Sequence, residues 1–285
     1  MKIAYIFGAT GTLGRLITIN FLKNFDKLVL VSRSIDKLNQ LKSECAIIYK
    51  TTIVECRAIS FQRENLNKLT ELFKKDFSRL EQITIINTLA KQNPLGVIWD
   101  NDLVEWYNTL DVNLTFNVAL IQTAIRFAIA NKIQTSIILF SGGGAAYARP
   151  CFSAYGISKT AVLRLVENTY QELSLNQYSG LIQINAIAPG SVKSQLTSEI
   201  IKAGKEVVGE SAFIEAQTTM LQGGVEPEKV IKLVEFLSDR QRNQGISGRL
   251  IHVNEDYINY AKLANEINNS AQGLLRRVNY SCQKD

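Results

Sequence analysis

Tyr155 and Lys159 stand four residues apart in a stretch, Ala154 to Leu175, that holds no proline and one glycine. Such a stretch reads as helix, and residues at i and i+4 share one helix face. The ammonium then sits beside the phenol, and a nearby positive charge lowers a tyrosine pKa from its ordinary value of about 10. A tyrosine tuned in this way gives a proton to a carbonyl oxygen, or takes one from an alcohol, near neutral pH. Many helices carry this pair by chance, so its meaning depends on the elements around it.

At the N-terminus an apolar run, Lys2 to Phe7, reads as a buried parallel strand. It leads directly into Gly8-Ala9-Thr10-Gly11-Thr12-Leu13-Gly14 and then into a helical pattern through Leu16, Ile17, Ile19 and Phe21. A glycine turn between strand and helix lets the backbone approach a pyrophosphate, and the helix N-terminus offers free N–H groups and a positive dipole end. Gly8, Thr10, Gly11, Thr12, Leu13 and Gly14 are therefore the candidate phosphate cradle. Their Gly-x-x-Gly-x-x-Gly spacing differs from the common Gly-x-Gly-x-x-Gly fingerprint.

Together these segments resemble the short-chain dehydrogenase/reductase family over about residues 1 to 255. Further stretches follow in the family's order: Ile85-Ile86-Asn87-Thr88-Leu89-Ala90, Asp111-Val112-Asn113-Leu114, the strand Ser136 to Phe140 ending at Ser141, Ala188-Pro189-Gly190-Ser191-Val192-Lys193-Ser194, and Gly245-Ile246-Ser247-Gly248 before a last strand. The resemblance implies an α/β fold, a Rossmann-like doubly wound parallel sheet of about seven strands with helices on both faces. It also implies an NAD(P)-dependent oxidoreductase that reduces a carbonyl, or oxidises the alcohol, of a small substrate. In that reading Tyr155 is the acid/base, Lys159 also binds the nicotinamide ribose, and Asn113 helps hold a water that links Lys159 to solvent. Asn87, Pro189, Gly190, Val192 and Ser194 border the cofactor.

The family's substrate-orienting serine lies thirteen residues before the tyrosine, where this chain has Gly142. Ser141, beside three glycines that allow a backbone shift, is the first replacement. Ser153 is the second, and backbone N–H groups with no serine are the third. Tyr147 has two readings, a residue pointing into the pocket and, the stronger one, a loop packing residue. At the end of the second strand, Ser32-Arg33-Ser34 carries no acid to hold a ribose 2′-hydroxyl. An arginine there suits a 2′-phosphate, with the two hydroxyls as added contacts, so NADP is preferred and NAD is possible. Asp36 belongs to the start of the next helix.

The 285 residues, 46% hydrophobic and 20% charged, can build a substantial core. The net charge of +6 comes from scattered Lys and Arg, the longest cluster being Phe73-Lys74-Lys75, so no nucleic-acid role is expected. Four cysteines and one histidine lack metal-ligand spacing, which argues against a metal site and for a cytoplasmic setting. No run of eighteen apolar residues appears, so no membrane span is expected. Strand and helix signals alternate through residues 1–257, one catalytic domain, in which 191–224 forms a substrate lid. Residues 258–285 read as a helical extension or tail. Apolar residues on more than one face of 101–131 and 154–176 imply, with the resemblance, a homodimer or homotetramer built on those helices. Two other readings remain: a redox-inactive dinucleotide-binding relative acting as a sensor or assembly subunit, favoured by the absent serine, and a sugar-nucleotide-modifying relative, favoured by the glycine spacing.

Overall fold

The computed structural model of the chain describes residues 1–61, 66–74 and 80–276. Strands β1 (Lys2–Phe7), β2 (Lys27–Ser32), β3 (Ile53–Ala58), β4 (Gln82–Asn87), β5 (Gln134–Phe140), β6 (Ile182–Ala188) and β7 (Leu250–His252) form one sheet in the order β3-β2-β1-β4-β5-β6-β7. Every pairing is parallel. Strands in such a sheet are covered on both faces and so read as continuous apolar runs. Successive residues of β1 divide between two cores. Ile3, Tyr5 and Phe7 join one, Ala4 and Ile6 the other.

Helices α3 (Asn67–Lys74), α5 (Phe116–Asn131) and α6 (Ser153–Leu175) cover the first face. Helices α1 (Thr12–Phe21), α2 (Ile35–Ile48) and α10 (Pro227–Ser238) cover the second. Strand order reverses between β1 and β4, and ligands of open α/β sheets bind beyond the strand ends at such a point.

The segment expected as one helix over 101–131 is divided. Helix α4 (Leu103–Leu110) passes through a π turn, Asp111–Thr115, into α5. By length and composition alone Leu103–Asn131 is apolar enough to cross a membrane, although it contains no unbroken run of eighteen apolar residues. Phe116, Leu120, Ala124 and Ala128 bury its inner face against the sheet, so this is a core helix of the α/β layer. Apolar residues of these helices do lie on more than one face: Ile121, Val162, Val166 and Leu173 are buried in the core, whereas Leu103 and Val118 are exposed.

Between β6 and α10 the segment expected to form a lid folds as α7 (Gln195–Ala203), α8 (Lys205–Val208) and α9 (Glu210–Gln222). Its two ends meet at an antiparallel bridge between Val192 and Gly224. After α11 (Arg240–Asn243) and β7, the C-terminal extension forms α12 (Tyr257–Lys262) and α13 (Ala264–Asn268). The chain then folds back along β7, where the Leu250 amide donates to the Gly273 carbonyl at 2.9 Å. The Arg249 guanidinium donates to the carbonyls of Ile267 (2.6 Å) and Ser270 (3.3 Å), and the Leu275 amide donates to Glu167 at 2.5 Å. The described part of the extension is thus docked on its own subunit. Residues 277–285, Lys75 and Cys282 lie outside the described residues.

Candidate active site

A cleft of about 1010 Å³ opens beyond the C-terminal ends of the strands. It runs from Arg33 past the start of α1 and the loop after β4 to Tyr155 and Lys159, with the turn after β6 and the lid helices as its far wall.

The glycine turn is shaped by close approach. Gly8 has φ +75°, and a Cβ there would lie 2.6 Å from the Thr88 hydroxyl oxygen. A Cβ on Gly14 would lie 2.2 Å from the Gly8 carbonyl oxygen, so helix and strand pack backbone to backbone. Gly11, Thr12 and Leu13 line the cleft, while Gly8, Thr10 and Gly14 form the turn behind them. Gly11 caps α1 without a side-chain hydrogen bond, and the first turn holds no acid. The N–H groups of that turn therefore face the cleft uncapped, a fitting seat for a pyrophosphate.

Arg33, exposed at the end of β2, lines the cleft and has no hydrogen-bond or ion-pair partner among the described residues. Its two neighbours are committed elsewhere. Ser32 is buried and its Oγ donates weakly to the Ser34 carbonyl at 3.4 Å. The Ser34 hydroxyl caps α2 by accepting from the Lys37 amide at 3.3 Å, and Asp36 falls in that helix's first turn, as expected. Pro189, Gly190, Val192 and Ser194 line the opposite wall. Asn87 does not reach the cleft. It donates to Asn117 at 2.7 Å and accepts from the Leu89 amide at 3.1 Å, bracing the loop after β4.

Tyr155 and Lys159 lie on the cleft side of α6, as their spacing predicts. The Tyr155 hydroxyl has no hydrogen-bond partner among the described residues. Lys159 is 1% exposed, donates to the Phe140 carbonyl at 2.9 Å, and holds its Nζ 5.6 Å from the Tyr155 ring centre. The electrostatics correct the expectation that Lys159 lowers the tyrosine pKa. Burial pushes Tyr155 up to about 12, and the cation that opposes this is Arg149, with Tyr147 adding to the rise. Burial also pushes Lys159 down to about 8. The reason is geometric, because the ammonium faces a main-chain carbonyl rather than the phenol oxygen.

Asn113 is fully buried in the π turn. Its side chain accepts from the Lys91 amide (2.9 Å) and donates to the Lys91 carbonyl (2.7 Å) and to Ser158 Oγ (2.9 Å). It fixes the cleft loop that carries Lys91 and makes no direct bond to Lys159. A π turn at such a position is a frequent feature of functional sites.

The three serine alternatives separate clearly. Ser141 lines the cleft, and its buried Oγ lacks a hydrogen-bond partner. Ser153 points elsewhere, accepting from Trp106 Nε1 at 3.0 Å and Asn101 at 3.3 Å. At the family's serine position, a Cβ on Gly142 would lie 2.1 Å from the Tyr155 hydroxyl. The phenol occupies the space that a serine side chain needs.

Sequence reasoning missed the group on the other side of this turn. Arg149 lies against Gly143, where a Cβ would sit 2.5 Å from its Nη1. Its guanidinium stacks 4.4 Å over the Phe152 ring and pairs with Glu215 of α9 at 3.2 Å. Glu215 also accepts from Ser191 Oγ at 2.7 Å, which joins the lid to two loops. Tyr147, expected as packing, is 64% exposed and lines the cleft. The three consecutive glycines were the available signal, because they mark a backbone that other groups approach closely.

A family model described as short chain dehydrogenase matches residues 2–205. The chain belongs to the short-chain dehydrogenase/reductase family. A 3-oxoacyl-[acyl-carrier-protein] reductase from Rickettsia bellii is 25% identical over 258 residues, covering 88% of this chain and 94% of the relative. An uncharacterised oxidoreductase from Listeria monocytogenes is 24% identical over 253 residues, covering 86% of this chain and 94% of the relative. Among solved structures, a short-chain type dehydrogenase/reductase from Mycobacterium ulcerans has TM-score 0.74 at 18% identity, covering 93% of this chain and 94% of that one. An actinorhodin polyketide ketoreductase with NADPH has TM-score 0.75 at 17% identity, with 91% and 98% covered. The protein is thus an NAD(P)-dependent short-chain dehydrogenase/reductase, and its uncapped α1 N-terminus and open cleft fit a nicotinamide dinucleotide.

Proposed function

We propose that this short-chain dehydrogenase/reductase is an NADP-dependent carbonyl reductase, with the reverse alcohol oxidation available, acting on a small substrate. The observation that carries the reading is the placement of Tyr155 and Lys159 on one helix face in the same cleft that ends at Arg33. The N–H groups of Thr12 and Leu13 would hold the pyrophosphate, the Gly11 N–H being bonded to the Gly8 carbonyl within the turn. Arg33 would clamp a 2′-phosphate, for which the neighbouring residues supply no competing acid. Pro189, Gly190, Val192 and Ser194 would border the nicotinamide. When bound, the cofactor supplies the hydride.

The chain's own groups supply position and proton. Burial keeps Tyr155 protonated across the neutral range, the form needed to donate to the developing alkoxide of a reduced carbonyl. Lys159 acts as the adjacent cation, and Asn113 fixes the loop that shapes this end of the cleft. Ser141 Oγ, buried and without a partner, is the side-chain group closest in type to the family's orienting serine. The retained Tyr155 and Lys159 favour an enzyme over a redox-inactive relative. The names of the bacterial acyl-carrier-protein reductase and the polyketide ketoreductase support a carbonyl on an acyl chain as a substrate class. For assembly we propose a homodimer, supported by exposed Leu103, Val104, Tyr107 and Val118 on the outer side of α4 and α5. NADPH consumption against a panel of ketones, keto-acyl thioesters and keto-sugars tests the reading. Turnover of at least one class, lost on Tyr155→Phe, is the expected result. A Tyr155→Phe protein as fast as the parent would overturn it.

A further inference from the structure

The Tyr155 hydroxyl and the Arg149 guanidinium rest against adjacent residues of one glycine turn, Gly142 and Gly143. With consecutive Cα atoms 3.8 Å apart, the two groups lie within about 10 Å of each other. Both line the cleft. The guanidinium is held on three sides, by the Phe152 ring, by Glu215 and by the bare Gly143 backbone. Glu215 is itself fixed by Ser191.

The hydrogen-bonding capacity of Arg149 is far from used. A guanidinium carries five N–H donors, and only the Nη2 bond to Glu215 has a partner among the described residues. The side chain is 17% exposed, and its unpaired donors reach the solvent of the cleft, where a ligand can replace the water. Nη1, the nitrogen against Gly143, remains available one residue along the turn from the glycine that the phenol touches.

We infer that Arg149 is the substrate-selecting residue of this site and that the substrate is a short oxo acid, with a carboxylate one to three carbons from the reacting carbonyl. The carboxylate takes the donors that Glu215 leaves unused, while the carbonyl oxygen lies at the Tyr155 hydroxyl. Such a substrate spans the distance between the two groups. Glu215 and Phe152 hold the guanidinium plane in place, so the charged hydrogen bonds form without ordering a long flexible side chain. The inference rests on the carbonyl-reductase reading of the same site.

The test compares acetoacetate and levulinate with their methyl esters, in the parent and in Arg149→Gln and Arg149→Lys. The parent is expected to favour each acid over its ester. In Arg149→Gln the ratio of kcat/KM for acid over ester should fall on the order of 30- to 100-fold, through KM, as for loss of charged hydrogen bonds. Arg149→Lys should restore part of the ratio. An equal loss for acid and ester would make Arg149 a lid latch or an electrostatic partner of Tyr155, and would overturn the inference, as would a parent with no preference for the acid. Calorimetric titration of the NADPH-loaded protein with 3-hydroxybutyrate, a pair in which both cofactor and ligand are already reduced, reads the same contact without turnover. Binding by the parent that Arg149→Gln loses supports the carboxylate site even where no carbonyl is reduced, and no binding by the parent rejects it.

Discussion

Gly142→Ser restores the residue type found at this position across the family, and the structure predicts that it damages the enzyme. A Cβ at position 142 would sit 2.1 Å from the Tyr155 hydroxyl oxygen and 2.9 Å from its Cζ, whereas ordinary contact begins near 3.4 Å. The phenol must retreat by roughly 1 Å, or the glycine turn must open. A shift of about 1 Å in a reacting group costs on the order of 100-fold in rate. Forcing an added group into a packed site costs about 1–3 kcal/mol. For a chain of this size that lowers Tm by roughly 2–5 °C. Gly142→Ala carries the same Cβ without the hydroxyl, so both variants should lose kcat together. Steady-state kinetics and a melting curve read both effects. If Gly142→Ser outpaces the parent while Gly142→Ala is slow, the turn has opened and the hydroxyl has found a useful place, and the steric reasoning is wrong.

Arg33→Ala should weaken NADPH binding on the order of 10- to 100-fold and leave NADH within about 3-fold, because only the 2′-phosphate is lost; equal losses in a fluorescence titration would remove Arg33 from the cofactor site. The reduction rate should fall as pH rises through about 8, where buried Lys159 loses its proton, while Tyr155 stays protonated to about 12. Thermal stability should move the other way: the unfolded lysine keeps its proton to 10.5, so the cost of burying the charge disappears between the folded and unfolded values. A rate that is flat to pH 10 would take the Lys159 charge out of the chemistry. Removing residues 258–285 strips the Ile267 and Ser270 carbonyls from buried Arg249 and the Gly273 carbonyl from the edge of β7. That should cost about 3 kcal/mol and lower Tm by about 5 °C in calorimetry, and an unchanged Tm would mean that the extension is not docked. Light scattering on the full chain should give a dimer, and a mass near the 31.9 kDa of one chain would sink the α4–α6 interface.

The legible parts were those whose signal is local in sequence. Continuous apolar runs such as Lys2 to Phe7 announced strands covered on both faces, and the glycine turn announced the strand-to-helix junction beside the cleft. The four-residue spacing of Tyr155 and Lys159 announced their common face. What stayed hidden depended on contacts across long stretches of chain. Nothing near Arg149 in sequence points to Glu215, which arrives on α9 after one strand and three helices of intervening structure. The direction of the Tyr155 shift was misread because spacing reports proximity, not the Phe140 carbonyl that draws the ammonium away or the burial that dominates. Asn87 and Asn113 were found by motif, yet their amides serve buried braces whose partners, Asn117, Ser158 and the Lys91 backbone, have no shared pattern in sequence.

The central claim is that Tyr155 protonates a carbonyl that receives hydride in this cleft, and an isotope measurement tests it most directly. The protein is incubated with NADPH carrying deuterium at the transferred position of the nicotinamide and with a reactive carbonyl, and the product alcohol is analysed by mass spectrometry. The account predicts one deuterium on the former carbonyl carbon with the parent protein. With Tyr155→Phe it predicts product formation lower by ~100- to 10,000-fold, while NADPH still binds. Deuterium-labelled product formed at the parent rate by Tyr155→Phe, or product that carries no deuterium, would contradict it.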